Sequence, residues 1–418
     1  MSFEWPIHTL VDLTINHDGK RKPVKESERK PGPYPYYGAS GIVDYVDGHL
    51  FNGEYLLVAE DGENLKTRNT PIAFIAKGKF WVNNHAHIIT GNKLADTRFL
   101  LYSLLASDIT PFLTGAVMPK LTQGNLNRIT LACPPISIQR AIVDILGTID
   151  DRIALLREIN TTLEAIAQAL FKSWFVDFDP VRAKLEGLEP EGMDADTAAL
   201  FPDSFEESEL GLIPKGWRCS TLADAYEINP SRKLRKGETA PYLEMAGVPT
   251  SGHSVDNIVL REMGSGSKFI NGDTLLARIT PCLENGKSAF VDFLEKDQIG
   301  WGSTEFVVLR PRAPLPQYHG YLLCRHPSFR SFAIQSMSGT SGRQRIQNDV
   351  IGGYSLVLPS EEVAKTFTEI VEPIQKSIAS NHKQSQTLAT LRDTLLPRLI
   401  SGQLRIPEAE TLIEEATV

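Results

Sequence analysis

The sequence predicts an α+β protein in which two duplicated mixed α/β domains are joined by two long antiparallel α-helices, a coiled-coil spacer with a pseudo-two-fold arrangement. Two observations carry this expectation. The chain starts twice: "WPIHTLVD" (5–12) and "WRCSTLAD" (217–224) share Trp, three variable residues, Thr-Leu, one residue and Asp. Each half then closes on an apolar-periodic stretch of unusual length. At 418 residues the chain also exceeds one ordinary core, so two domains are expected.

The repeat continues in order after each start. "PYYGASG" (35–41) matches "PYLEMAG" (241–247), and "FNGEYLLVA" (51–59) matches "FINGDTLLA" (269–277), where an Asn-Gly turn enters an apolar strand. The β-rich "HAHIIT" (85–90) and "TEFVVL" (304–309) follow, then the short helices "FLLYSLLAS" (99–107) and "YHGYLLCRH" (318–326). Polar loops opened by glycine, "GAVMPKLTQGNL" (115–126) and "GTSGRQRIQNDV" (339–350), lead to brief strands, "ITLACPP" (129–135) and "YSLVLPS" (354–360).

From Ser137 to about Phe175, apolar residues fall at Leu146, Ile149, Ile153, Leu156, Ile159, Leu163, Ile166 and Leu170, a three-four spacing that marks a helix-on-helix seam. The second helix starts after Ser360, a good N-cap, and runs through Val363, Phe367, Ile370, Ile374, Ile378, Leu388, Leu391 and Leu395. Asn381 and Ser385 fall at its expected core positions, and Pro373 is expected to kink it. Helices of roughly 39 residues would be about 55–60 Å long, which suits a spacer. The expected boundaries are a first domain over 1–135, a first spacer helix over 136–180, an acidic linker over 181–212, a second domain over 213–358, a second spacer helix over 359–406 and an acidic tail over 407–418.

Composition is that of a globular protein, 42% hydrophobic and 22% charged. No apolar run is long enough to span a membrane, and "MSFEWPIHTL" lacks the basic and apolar regions of a signal peptide. Cys133, Cys219, Cys282 and Cys324 lie far apart, with no Cys-x-x-Cys pair, so a reduced cytoplasmic setting is expected. The net charge of −8 is unevenly spread: residues 181–212 carry −7 and residues 407–418 carry −4, so the remainder is about +3. Basic clusters stand out there as "KRKPVK" (20–25), "RKLRK" (232–236) and "RQR" (343–345). The first two follow the two starts at similar distances, which suggests the same job done twice. Paired modules with basic clusters on a rigid spacer suit double-stranded DNA, read as two half-sites at fixed separation.

On these residues the chain resembles the specificity subunits of type I restriction–modification systems. The resemblance rests on "YYGASGIVD", "NNHAHII", "GAVMPKLTQGNL", "PPISIQRAIVDILGTIDDRI" with "ALFKSWFVDFDP", "IPKGW" and "LLPRLISGQL". It implies that each half is a target-recognition domain. It also implies that two methyltransferase subunits dock on the coiled coil and methylate adenine in a bipartite asymmetric site, with restriction and translocase subunits joining the complex. No cofactor is expected on this chain; S-adenosylmethionine, ATP and Mg belong to the implied partners. The low identity between the halves predicts that they read different half-sites.

Lys20, Arg21 and Lys22, with Arg232, Lys233, Arg235 and Lys236, are the candidate phosphate contacts. Lys120 with Gln123, and Arg343 with Gln344 and Arg345, are the candidates for base readout, because Arg pairs with guanine and Gln with adenine. Tyr36, beside Tyr37 and Ser40, is a DNA candidate that reads equally as a core aromatic. Ile149, Ile153, Leu156, Leu163, Ile374, Ile378 and Leu388 are the candidate partner-binding positions, while Trp174, Phe175 and Phe178 read as core. No catalytic or metal-binding residue is expected. His85 and His87 would give half a metal site at most, "GSGSK" (264–268) lacks the Walker spacing, and Asn229-Pro230-Ser231 lacks the second proline and aromatic of a base-gripping motif. The rival readings are a self-contained DNA methyltransferase or nuclease and a protein scaffold without DNA.

Overall fold

A computed structural model describes residues 5–115, 117–340 and 342–417. Ala116 and Ser341, one in each glycine-opened loop, lie outside the described residues. The chain divides into two units, residues 1–154 with 386–418, and residues 155–385. Each unit therefore takes a segment of both long helices.

The repeated start is a capping device. In the first unit Thr9 donates its backbone N–H to the Asp12 carboxylate (3.3 Å); in the second, the Thr221 hydroxyl donates to Asp224 (2.7 Å) and accepts from its N–H (3.3 Å). Each motif opens a one-turn helix, Leu10–Leu13 or Leu222–Ala225, and its leucine, Leu10 or Leu222, is fully buried. The strand before each helix pairs antiparallel with the brief strand that precedes a long helix: Ile7–Thr9 with Thr130–Ala132, and Arg218–Thr221 with Ser355–Leu358.

The first unit is built on a six-stranded sheet in the spatial order Thr14–Asn16, Ala86–Gly91, Phe51–Ala59, Ala73–Val82, Pro31–Gly38 and Gly41–Val46. Its pairings are antiparallel except where Tyr36 runs parallel to Trp81. The second unit splits the same plan into two four-stranded sheets. One orders Tyr226–Ile228, Phe306–Pro311, Thr274–Ala277 and Ser288–Phe290; the other orders Val259–Glu262, Thr239–Leu243, Gly300–Gly302 and Ser267–Phe269. The parallel step recurs there as Tyr242 beside Trp301. An arginine stacks on each of these tyrosines, Arg29 from before the strand over Tyr36 at 4.5 Å and Arg261 from the next strand over Tyr242 at 4.8 Å.

The long helices span Ile136–Lys172 and Glu361–Ile400. The second passes the exposed Pro373 as one continuous helix. Within the second unit they run antiparallel: Asn160 meets Ile378 and Asn381 at one level, and Trp174 and Phe175 meet Phe367 at another. Asn381 donates to Asn160 Oδ1 at 2.9 Å, and Ser385 is buried, so these polar residues occupy the seam as their spacing predicts. In the first unit Arg392 pairs with Asp150 at 2.7 Å.

The phase of the first helix differs from its apolar count. The buried line passes Ile149, Ile153, Leu156, Ala167 and Trp174, with Asn160 at the level of Asn381, whereas Leu155, Ile159 and Ile166 stay 45, 38 and 45% exposed. A strict 3.5-residue repeat puts a polar Asn and a small Ala on the seam and two isoleucines beside it. Trp174, Phe175 and Phe178 are core, packed with Trp217 and Phe367.

The acidic stretch after the first helix is structured. It carries the short helices Asp179–Leu185 and Ala195–Ala199 and a hairpin of Phe205–Ser208 with Gly211–Pro214. Val181 and Phe201 anchor it in the second unit's core, and its acids remain on the surface.

That core also buries His319, whose Nδ1 meets the Tyr226 hydroxyl between the edges of the Phe171 and Phe175 rings. Burial pushes the imidazole down to about 3. The unfolded chain takes up a proton near pH 6.5 that the folded chain refuses, so the stability this neutral ring provides is complete above that pH. Denaturant unfolding of the second unit is therefore expected to shift to lower concentrations as pH falls from about 6.5 towards 3. His319→Gln should flatten that dependence.

Candidate nucleic-acid interface

In the first unit, residues far apart in sequence converge where the central strand Phe51–Ala59 ends. Glu60 accepts from Arg21 at 2.7 Å and pairs with Lys120 at 3.4 Å. Arg21 also donates to the Ala86 carbonyl (2.9 Å) and lies 3.4 Å from Asp18. Behind it the buried His87 is held between the Asp18 carboxylate (2.6 Å at Nδ1) and the Leu121 carbonyl (2.7 Å at Nε2). The Ile88 N–H completes Asp18 at 2.7 Å. Burial pushes the Asp18 carboxyl up, but the His87 contact, the Ile88 N–H and the nearby Arg21 outweigh it and hold the group below the usual carboxylate range.

This network anchors the base of the loop that runs from Thr114 to Lys120. Thr114 and Lys120 exchange backbone hydrogen bonds (2.8 and 2.7 Å), the Gly62 N–H donates to the Pro119 carbonyl (3.1 Å), and the Leu121 N–H donates to the Glu60 carbonyl (2.8 Å). Gly115 has φ +90°, and a Cβ there would lie 2.2 Å from the Met118 carbonyl oxygen, so the turn requires glycine. Beyond the base, Val117 is 95% exposed and Met118 62% exposed.

The second unit repeats the loop base. Ser338 and Arg345 exchange backbone hydrogen bonds (3.0 and 2.9 Å), the Thr280 N–H donates to the Gln344 carbonyl (3.0 Å), and the Ile346 N–H donates to the Arg278 carbonyl (3.0 Å). Arg345 grips Glu305 with contacts of 2.6–3.0 Å. Its tip is polar: Thr340, Gly342 and Arg343 are exposed.

The two loops are equivalent; the two basic clusters are not. Arg232 pairs with the fully buried Asp273 at 3.2 Å, and Arg310 joins it at 2.6 Å. Asp273 precedes the strand Thr274–Ala277, whereas Glu60 follows its counterpart Phe51–Ala59. The clusters thus occupy opposite ends of the central strands. Lys20, Lys22, Lys233, Arg235 and Lys236 are exposed, as are Lys120, Gln123 and Arg343. Arg21, Arg232, Gln344 and Arg345 are half-buried and tied to protein groups. Tyr36 is core: it is 1% exposed, and its hydroxyl accepts from the Val24 N–H at 3.1 Å.

The partner-binding positions divide differently from the expectation. Ile149, Ile153, Leu156, Ile378 and Leu388 are buried and Leu163 and Ile374 half-buried, so these side chains hold the helices themselves. The exposed stripe is Leu155, Ile159 and Ile166. Neither this stripe nor the Val117–Met118 tip was among the sequence candidates; the 155–159–166 spacing was the available signal for the first.

No group of three or more His, Cys, Asp or Glu side chains is placed to hold a metal among the described residues. His85 instead pairs with Asp61 at 2.8 Å, Lys268 donates to the Leu234 carbonyl at 2.7 Å, and Asn229 accepts from the Val308 N–H at 2.8 Å. No helix among them is long and apolar enough to cross a membrane.

The profile of the type I restriction modification DNA specificity domain matches residues 4–165. A specificity subunit of a type I restriction enzyme from Haemophilus influenzae is 42% identical over 147 residues, 35% of this chain and 37% of that protein. The specificity subunit of the HindI type I restriction enzyme, from the same organism, is 25% identical over 87% of this chain and 86% of its own length. Residues 4–165 thus match a type I DNA specificity domain, and most of the chain is similar to type I specificity subunits. The crystal structure of a type I restriction–modification S subunit from M. genitalium shares the fold, with a TM-score of 0.58 at 15% identity over 95% of this chain and 96% of that one.

Proposed function

We propose that each unit reads one half of a bipartite asymmetric DNA site, and that the long helices dock methyltransferase subunits which methylate adenine there. The observation that supports this reading is the pair of loops with the same anchored base and different tips. A shared base gives both units one docking geometry, while tips as unlike as Val117–Met118 and Thr340–Arg343 favour different base pairs. Two such subunits, and the restriction and translocase subunits, would bring the S-adenosylmethionine, ATP and Mg; this chain would work in the cytoplasm without a cofactor of its own.

The exposed bases supply affinity and the tethered ones supply form. Lys20→Ala with Lys22→Ala is expected to lower the slope of log affinity against log salt by about two, across all duplex sequences. A chain that shows no salt-dependent affinity for duplex DNA would favour the scaffold reading instead. The deciding experiment is single-molecule methylation mapping in cells expressing the methyltransferase subunit with and without this chain. A bipartite methyladenine motif that disappears with the chain supports the proposal; a chain-independent or palindromic motif overturns it.

A further inference from the structure

The tip of the 114–120 loop presents two aliphatic side chains to solvent, Val117 at 95% and Met118 at 62% exposure, above an ionic base. Exposed apolar groups on a glycine-turned loop gain free energy only when a partner covers them. The surroundings identify that partner's charge. Lys120 and Arg21 meet on Glu60, and Arg21 also pairs with Asp18, so these two cations and two carboxylates balance. The exposed Lys20 and Lys22 flank Arg21 and supply positive charge beside them. Positive charge around the base of an apolar tip fits an anionic partner that offers a small apolar target between its charges.

Duplex DNA has one such target. The reciprocal hydrogen bonds of Thr114 and Lys120 close the loop at an isolated bridge, with Cα atoms about 5.5 Å apart before side chains are added. Two chain segments at that spacing are too wide for a minor groove of about 6 Å but fit a major groove of about 12 Å. In the major groove the apolar group on a base-pair edge is the C5-methyl of thymine. Resting on the DNA-reading function above, we propose that Val117 and Met118 determine specificity in the first half-site by packing against thymine methyl groups. The second unit's loop, with Thr340, Gly342 and Arg343 at its tip, has no aliphatic equivalent and does not use this contact.

The test uses the full chain with its methyltransferase subunit, on duplexes carrying the mapped site with thymines replaced one at a time by deoxyuridine, which lacks only the methyl. Removing one contacted methyl should weaken binding about fourfold, the worth of one buried carbon. The sensitive positions should fall in one half-site alone. Val117→Ser with Met118→Ser should abolish the sensitivity while leaving the salt dependence of binding unchanged. The assignment is overturned if deoxyuridine has no effect in either half-site, if the sensitivity survives the double substitution, or if the half-site affected by that substitution contains no A·T pair. Absence of salt-dependent duplex binding altogether would instead remove the DNA reading itself.

Discussion

Replacing Leu155, Ile159 and Ile166 with lysine is expected to leave the fold intact and to abolish methylation directed by this chain. The three side chains lie 45, 38 and 45% exposed on one face of the first long helix. With Thr162 and Ala169 they form a four-three-four-three line, the spacing that seats a further helix. Lysine is a good helix former, so the helix itself loses little. A partner loses about half of each aliphatic side chain's burial, on the order of 1 kcal/mol apiece, and must also desolvate three charges. The affinity for the methyltransferase subunit should fall at least about a hundredfold. Co-purification of the two proteins, with a thermal melt of the variant alone as control, measures this. A variant that melts normally and still binds its partner would move the docking site away from this face.

The second large effect is expected at Asp18→Ala. The side chain is 8% exposed and joins His87, Arg21 and the Ile88 N–H. Removing one member of a buried ionic network typically costs about 3–5 kcal/mol, which is on the order of 10 °C for a unit of this size. Because the Leu121 carbonyl is tied to the other nitrogen of His87, the damage should reach the 114–120 loop, and the amides of Lys120 and Leu121 should exchange faster. The pH dependence provides an independent check. The Asp18 carboxyl is held below its ordinary value, so its contribution to stability is present above about pH 4 and disappears as the pH falls through the folded-state value. The natural chain should lose this part of the first unit's stability in acid, and Asp18→Ala should have none of it to lose. Equal acid sensitivity in both would show that the network contributes nothing to folding.

The duplication was legible because its strongest signature, Thr-Leu-x-Asp, is a cap whose leucine must be buried; both copies obey the same local chemistry. The helices were legible in extent but not in phase. Counting apolar residues favours Ile159 and Ile166, yet the seam follows a geometric repeat through Asn160 and Ala167. Equal sequence distance from the two starts made the basic clusters look like equivalents. Which end of a strand each one reaches depends on tertiary pairing with Glu60 or Asp273, and no local signal reports that. The loop tip carries no sequence signal for a related reason. Val117 and Met118 read as ordinary apolar residues, and only the closed base at Thr114 and Lys120 forces them outward.

The division of the chain reverses the order in which its parts can be finished during synthesis. Residues 155–385 are continuous, so the second unit has all its residues as soon as that stretch leaves the ribosome. The first unit is begun earlier but needs residues 386–418, including Arg392, the partner of Asp150. At about 5–20 residues per second, its segment 136–154 of the first long helix presents an uncovered apolar stripe for roughly ten seconds or more after it is made. The half translated first is therefore the half completed last, and it bears the greater exposure to chaperones and to wrong pairing with another nascent copy.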